Sequence, residues 1–122
     1  MPVRSSSSSV LKWPDRAQVE QAARAWAEEV AGARSDVLRI GFFGSYARGD
    51  WGVGSDLDLV AVVTDSEEPF TRRSAAFDLL SLPVPADLLV YTLAEWERLQ
   101  AEGGRFGRML GAETVWVFRR TA

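Results

Sequence analysis

The feature that most constrains the fold is a pair of aspartates, Asp56 and Asp58, separated by one leucine and followed by the apolar run 59–63. The apolar residues predict a strand over 57–63. Because residues i and i+2 of a strand face the same side, the two carboxylates lie next to each other on one face. Neighbouring carboxylates repel each other, and a divalent cation offsets that repulsion. The pattern therefore predicts a strand whose first residues bind a metal ion, with Mg²⁺ as the expected ion.

A second motif, Gly44-Ser45, follows a predicted strand over 37–43 and precedes a predicted helical turn over 46–48. The first N–H groups of a helical turn lack backbone partners and can bind an anion. A glycine lets a phosphate approach the backbone closely, and the serine hydroxyl adds a hydrogen bond. We therefore expect Gly44 and Ser45 to bind phosphate. Two interpretations of Arg48 stay open: it reaches the same phosphate, or it pairs with Asp50.

A third acid, Asp87, opens a predicted strand over 87–91 and has apolar neighbours. If that strand lies beside 57–63, Asp87 joins Asp56 and Asp58 on one face of the sheet. The alternative is that Asp87 is a turn residue that only begins the strand, because Pro83 and Pro85 precede it.

The rest of the chain predicts one domain built of helices around a sheet. Helices are expected over 14–31, 69–80 and 93–100, a helical turn over 105–110 and a last strand over 115–118. Thr92 and Glu95 have the spacing of a capping box for the third helix, and Trp26 is expected in the core. The order of elements predicts a mixed β-sheet flanked by helices, an α/β (α+β) fold. Residues 1–12, with their serine run, are expected to form a flexible tail before a domain over 13–122.

Composition narrows the chemistry. The chain contains no histidine and no cysteine, which excludes Ser-His-Asp and Cys-His triads, zinc sites built on those residues and thiol chemistry. Lys12, the only lysine, lies outside any motif, so a phosphate-binding lysine of the Walker type is not expected. Carboxylates, hydroxyls, arginines and backbone amides remain, and they are the groups that bind hard metal ions and phosphates.

Composition also bears on location and partners. The lack of cysteine fits a cytoplasmic protein, and the amino-terminal segment has no apolar core typical of a secretory signal. The run 59–63 is too short to span a membrane. The net charge of −3 argues against non-specific binding to nucleic acid.

These motifs, in their order and spacing, resemble those of the minimal nucleotidyltransferases in the DNA polymerase β superfamily, and the resemblance is strong over 38–91. The residues that carry it are Gly44-Ser45-Tyr46-Ala47-Arg48-Gly49 and Ser55-Asp56-Leu57-Asp58-Leu59. The resemblance implies the polymerase-β-type nucleotidyltransferase fold. It also implies two Mg²⁺ ions held by the carboxylates of Asp56, Asp58 and Asp87. Whether Asp87 is only a metal ligand or also the general base stays open.

The same resemblance implies a reaction. A nucleoside triphosphate, with ATP the expected donor, is held through its phosphates by Gly44, Ser45 and Arg48. A nucleoside monophosphate passes to an acceptor hydroxyl, and pyrophosphate is released. The resemblance further implies a helical partner protein of the HEPN type, for which this chain is the antitoxin. The chain would adenylylate that partner on a hydroxyl, with tyrosine as the expected residue. An RNA acceptor such as tRNA stays open. The alternative is a non-catalytic module that only binds nucleotide or neutralises its partner by contact.

Overall fold

The computed structural model describes residues 13–121, so the tail expected over 1–12 lies outside the described residues. A four-stranded sheet has the order β3-β2-β1-β4. Strand β1 is antiparallel to both β2 and β4, and β2 is parallel to β3. The mixed sheet expected from the order of elements is confirmed. The strands are β1 (Val37–Phe43), β2 (Leu57–Val63), β3 (Ala86–Thr92) and β4 (Val115–Arg119).

The helices within residues 13–121 are α1 (Arg16–Ala33), α2 (Ser45–Arg48), α3 (Phe70–Arg73), α4 (Leu93–Glu102) and α5 (Gly104–Glu113), with a 3₁₀ turn at Ser74–Ala76. A capping box of Asp15 and Gln18 begins α1. The capping box predicted from Thr92 and Glu95 is confirmed at the start of α4. The helical turn predicted over 105–110 is part of a longer helix, α5, which runs from Gly104 to Glu113. No helix of the described residues is long and apolar enough to cross a membrane.

The helix predicted over 69–80 is wrong beyond residue 76. Phe77 has extended backbone angles, φ −112° and ψ 135°. The carboxylate of Asp78 accepts a hydrogen bond from the Leu80 N–H at 2.9 Å, and the Asp78 carbonyl accepts one from Trp26 Nε1 at 2.7 Å. A short acidic side chain that hydrogen-bonds to nearby backbone competes with helix formation. The contacts of Asp78 therefore keep this segment out of the helix.

Strand β2 separates two apolar clusters because its side chains alternate between the faces of the sheet. The first cluster lies under α1, where Trp26 is buried as expected, and contains Leu57, Leu59, Ala61 and Val63 from β2. The second lies under α4 and α5, around Val60 and Val62. Asp58 shares the second face, at the point where the cover of α4 and α5 ends.

Candidate active site

Three predicted motifs meet at one edge of the sheet. Because β1 runs antiparallel to β2, the end of β1 lies beside the start of β2, and the parallel strand β3 starts there as well. Phe43 is paired with Asp58 across β1 and β2, and Asp58 is paired with Asp87 across β2 and β3. The structure therefore brings Asp58 and Asp87 side by side, next to the turn that begins at Gly44. Asp87 lies within the strand, one residue after its start, so the turn alternative is wrong.

Gly44 packs against Asp58, one member of this pair. Its backbone has φ 78° and ψ −150°, a conformation that favours glycine. A Cβ on Gly44 would collide with Oδ2 of Asp58, so the glycine allows a carboxylate to pack against the turn. The Gly44 N–H donates to Oε1 of Glu113 at 3.0 Å. The sequence led us to expect that this glycine admits a phosphate. In the structure Asp58 packs against this glycine, and the binding of a phosphate there stays a prediction.

The electrostatics of the site are dominated by negative charge. Burial raises the pKa of Asp58 above its ordinary value, the charges of Asp87 and Asp56 raise that pKa further, and Arg48 opposes them. Asp56 and Asp87 are exposed. Among residues 13–121 the acidic side chains form no group of three arranged to hold a metal ion. The structure thus assembles the pair Asp58–Asp87 and leaves Asp56 one residue before the start of β2, near enough for its charge to act on Asp58.

An open cavity of about 540 Å³ adjoins the acidic pair. Its walls are mostly apolar, and Phe106 on α5 is 42% exposed at this cavity. The rings of Phe43 and Phe106 meet edge to face with their centroids 6.4 Å apart. The cavity can take an organic group next to the carboxylates. It is lined by Phe43, Asp58, Ser74, Leu79, Ala86, Asp87, Leu88, Leu89 and Phe106.

Ser45 and Arg48 occupy the two ends of α2. Ser45 is half-buried at the first position of the helix. The Arg48 guanidinium contacts two carboxylates, with Nε 3.1 Å from Oδ2 of Asp50 and Nη1 3.4 Å from Oε1 of Glu113. The pairing with Asp50 that the sequence left open is therefore present, and it leaves the Arg48 side chain at the edge of the site.

The loop between α2 and β2 is fixed by its own contacts. The Ser55 hydroxyl accepts a hydrogen bond from the Gly52 N–H at 2.8 Å. The Trp51 ring stacks on the buried Tyr46 ring at 5.5 Å, with the planes 11° apart. These contacts give both residues a packing role, because they shape the loop that leads into Asp56.

Sequence reasoning missed Glu113 and Phe106, which come from α5, more than 60 positions after Gly44. One signal was available for Glu113. An acidic residue at the carboxyl end of a helix meets the negative end of the helix dipole, which is unfavourable unless a partner offsets it. No comparable signal marks Phe106, whose role depends on where α5 packs.

Comparisons with known proteins identify the family of the chain. The sequence profile of the nucleotidyltransferase domain family matches residues 19–104, which is most of the chain and includes Gly44, Asp58 and Asp87. No curated protein sequence matches at a significant level.

Several solved structures share the fold, and two of them are compared with this chain. The first is a protein from Sulfolobus solfataricus provisionally assigned as a nucleotidyltransferase, with a TM-score of 0.63 and 23% identity over 86% of this chain and 84% of that chain. The second is a toxin–antitoxin solved with AMP-PNP, with a TM-score of 0.50 and 14% identity over 80% of this chain and 74% of that chain. Both similarities concern the fold, whereas the profile match concerns the sequence. The chain belongs to the nucleotidyltransferase domain family, and it is a nucleotidyltransferase.

Proposed function

We propose that this nucleotidyltransferase transfers AMP from ATP to an acceptor hydroxyl, with Mg²⁺ as its cofactor and with release of pyrophosphate. The observation that carries the proposal is the pairing of Asp58 with Asp87 across β2 and β3, directly beside the Gly44 turn. The choice of an adenine nucleotide draws support from the toxin–antitoxin of similar fold that was solved with AMP-PNP.

The residues present fit a magnesium site. The donors are carboxylate oxygens, which Mg²⁺ prefers. The pKa of Asp58 is raised by burial and by the neighbouring negative charges, and a cation would relieve both effects. In this proposal Asp58 and Asp87 hold the metal, and Asp56 completes a site for two ions. When bound, Mg²⁺ would polarise the phosphate oxygens and favour loss of the acceptor's proton.

The chain's own residues then have distinct tasks. The Ser45 hydroxyl and the first amides of α2 bind the terminal phosphates, and Arg48 adds positive charge at the other end of that helix. The acceptor oxygen forms a bond to the α-phosphorus, and the bond between the α-phosphorus and the oxygen bridging to the β-phosphate breaks. The hydroxyl proton passes to the carboxylate of Asp87, and pyrophosphate leaves.

The acceptor in this proposal is a hydroxyl on a partner protein, with tyrosine as the first candidate. The apolar cavity beside Asp87 gives such a side chain a place next to the reacting groups. We place the protein in a toxin–antitoxin pair with a HEPN-type helical partner, as the antitoxin, and in the cytoplasm, where ATP is available. The similarity in fold to a toxin–antitoxin supports the pairing.

The test is direct detection of the product. The chain is incubated with Mg-ATP and the protein encoded next to it, and mass spectrometry looks for the mass of one AMP on that protein. We expect the modification with the wild type and none with Asp58→Asn. A partner that stays unmodified at saturating Mg-ATP contradicts the proposal. A parallel reaction with tRNA asks whether an RNA is the acceptor instead.

One observation favours a second candidate, a module that binds nucleotide or its partner without catalysis. The acidic side chains of residues 13–121 include no three-carboxylate group ready for a metal. Calorimetry with Mg-ATP separates the candidates when it is combined with an assay for pyrophosphate. Binding without pyrophosphate release, whatever acceptor is supplied, supports nucleotide binding alone. Absence of any binding supports neutralisation by contact.

A further inference from the structure

We propose that Glu113 is a positioning residue, which holds both ends of helix α2 in the arrangement that binds the nucleotide. The inference rests on the proposed nucleotide site, and it assigns a function to a side chain that comes from outside the motifs. Glu113 is the last residue of α5 and directly precedes Thr114 and strand β4.

A single carboxylate oxygen joins the two ends of α2. Oε1 of Glu113 accepts from the Gly44 N–H at 3.0 Å and from Nη1 of Arg48 at 3.4 Å. The Glu113 side chain is only 20% exposed, so these contacts are partly shielded from water. Hydrogen bonds of a charged acceptor are stronger than those between neutral groups. The position of the whole turn thus depends on one side chain that is distant in the sequence.

The place of Glu113 in the sheet explains this contact. The last residue pair between β1 and β4 is Phe42 with Val115. Beyond that pair the main chain of β4 gives way to α5, and the Gly44 N–H finds the Glu113 carboxylate instead of a backbone carbonyl. The Glu113 side chain therefore continues the hydrogen bonding between β1 and β4 by one more bond, to the Gly44 N–H. It fixes Gly44 in the conformation that brings this glycine against Asp58.

The charges indicate that Glu113 serves a purpose beyond filling space. A carboxylate at the carboxyl end of a helix is disfavoured by the helix dipole, so Gly44 and Arg48 offset a local cost. Arg48 is exposed and is held from two sides, by Glu113 and by Asp50. A long arginine side chain loses rotamer freedom when it binds a phosphate. A guanidinium that is already held loses less, so nucleotide binding gains.

The experiment compares Glu113→Ala and Glu113→Gln with the wild type. Glutamine keeps an oxygen for the Gly44 N–H but removes the charge that faces Arg48, whereas alanine removes both. Glu97→Ala is the matched control, because Glu97 is an exposed acid on the neighbouring helix α4. Each protein is titrated with Mg-ATP by calorimetry. In the absence of nucleotide, hydrogen exchange at the Gly44 amide is also measured by NMR.

We expect Glu113→Ala to raise the Kd for Mg-ATP about tenfold and to speed exchange of the Gly44 amide by a similar factor, the size expected when a charged hydrogen bond is lost. Glu113→Gln should retain most of the protection of the Gly44 amide and raise the Kd about threefold. This partial rescue is specific to positioning, because a residue that only supports the fold would not separate amide protection from affinity. Glu97→Ala should change neither quantity.

Several outcomes overturn the inference. If the wild type binds Mg-ATP and both Glu113 variants bind it as tightly as Glu97→Ala does, Glu113 has no positioning role. If Glu113→Ala binds more tightly than the wild type, the carboxylate competes with a phosphate for Gly44 and Arg48. If the wild type itself does not bind Mg-ATP, the proposed function fails and this inference with it. The exchange rate of Gly44 then still reports whether the contact exists.

Discussion

The charged side chains at the two ends of strand β3 differ: opposite charges are paired at one end, and like charges lie side by side at the other. At its carboxyl end, the guanidinium of Arg73, only 9% exposed, donates to both carboxylate oxygens of Glu95 and to the Val90 carbonyl. That pairing lowers the pKa of Glu95 to about 2. At its amino end, Asp87 lies beside Asp58, and the pKa of Asp58 is raised.

The difference separates what stabilises the fold from what serves the reaction. Glu95 also closes the capping box of α4, so its charge is satisfied twice by the folded chain. Among residues 13–121 Asp58 has no comparable partner, and its carboxylate stays available to a cation. A carboxylate whose pKa is perturbed by burial and by a like charge in a cleft is a typical sign of a functional site.

The largest expected effect comes from Asp58→Asn. The side chain keeps its size but loses the charge, so we expect AMP transfer to fall by more than about a hundredfold, since even outer-shell partners of a metal site can matter that much. Turnover of Mg-ATP to pyrophosphate measures it. Asp65→Asn, which alters an exposed acid just beyond the other end of β2, should leave turnover unchanged. Equal losses of turnover in Asp58→Asn and Asp65→Asn would contradict the proposal that the acids at only one end of the strands serve the reaction.

Gly44→Ala should be the next largest. The new Cβ collides with Asp58 at a backbone conformation that alanine rarely adopts, so we expect the free energy of unfolding to fall by about 2 kcal/mol. Urea denaturation measures it. Gly52→Ala is the control because a Cβ there meets nothing within 4 Å. Adding Asp58→Ala to Gly44→Ala should recover part of the loss, and a strictly additive double variant would speak against the contact.

Glu95→Gln tests the carboxyl end of β3, where the charge of Glu95 is paired with Arg73. The substitution takes the charge away from Arg73, and we expect the free energy of unfolding to fall by about 1–2 kcal/mol at neutral pH. Because the folded pKa of Glu95, about 2, lies below its ordinary 4.5, its stabilising effect is complete above pH 4.5 and is lost as the pH falls toward 2. The wild type and the variant should therefore converge across that window in urea denaturation. A difference that persists at low pH would mean that the charge is not its cause.

The smallest expected effect has the opposite sign. Because the folded pKa of Asp58 is raised above its ordinary 3.8, the ionised carboxylate destabilises the fold above that pKa, and the penalty disappears as the pH falls below 3.8. In the absence of metal, Asp58→Asn should therefore be more stable than the wild type at neutral pH, by up to about 1 kcal/mol. The gain should shrink in acid. A loss of stability at neutral pH would show that Asp58 supports the fold.

Much of the fold could be predicted because its signals are local. The bounds of β1 and β2 follow from apolar runs that end at Gly44 and begin after Asp56, and the start of α4 follows from a capping box. The helix expected over 69–80 ended early partly because the Asp78 carboxylate accepts a hydrogen bond from the nearby Leu80 N–H, and partly for a reason that no window of sequence contains. Trp26, on α1, binds the carbonyl of Asp78, and this contact exists only in the folded chain.

The site divides in the same way. The place of Asp87 beside Asp58 could be predicted, because it follows from a parallel neighbouring strand. The alternation argument for Asp56 stays a prediction, because Asp56 lies just outside β2. The contact of Glu113 with Gly44 could not, because it spans 69 positions and depends on where β4 stops pairing. A close approach to the Gly44 backbone was predicted for a phosphate, which stays a prediction, whereas the approach of the Asp58 side chain was not predicted.

The alternation of β2 sets a rule for how the gene can change length. Removing or adding one residue within β2 turns Asp58 from the second face toward the core under α1 and sends core leucines the other way, so a single-codon change there costs fold and site together. The loop over 49–54, most of which is exposed, carries no such odd-even constraint, although the stacking of Trp51 on Tyr46 ties one part of it to the core. Insertions and deletions that survive in this part of the chain should therefore collect in that loop and stop sharply at Asp56.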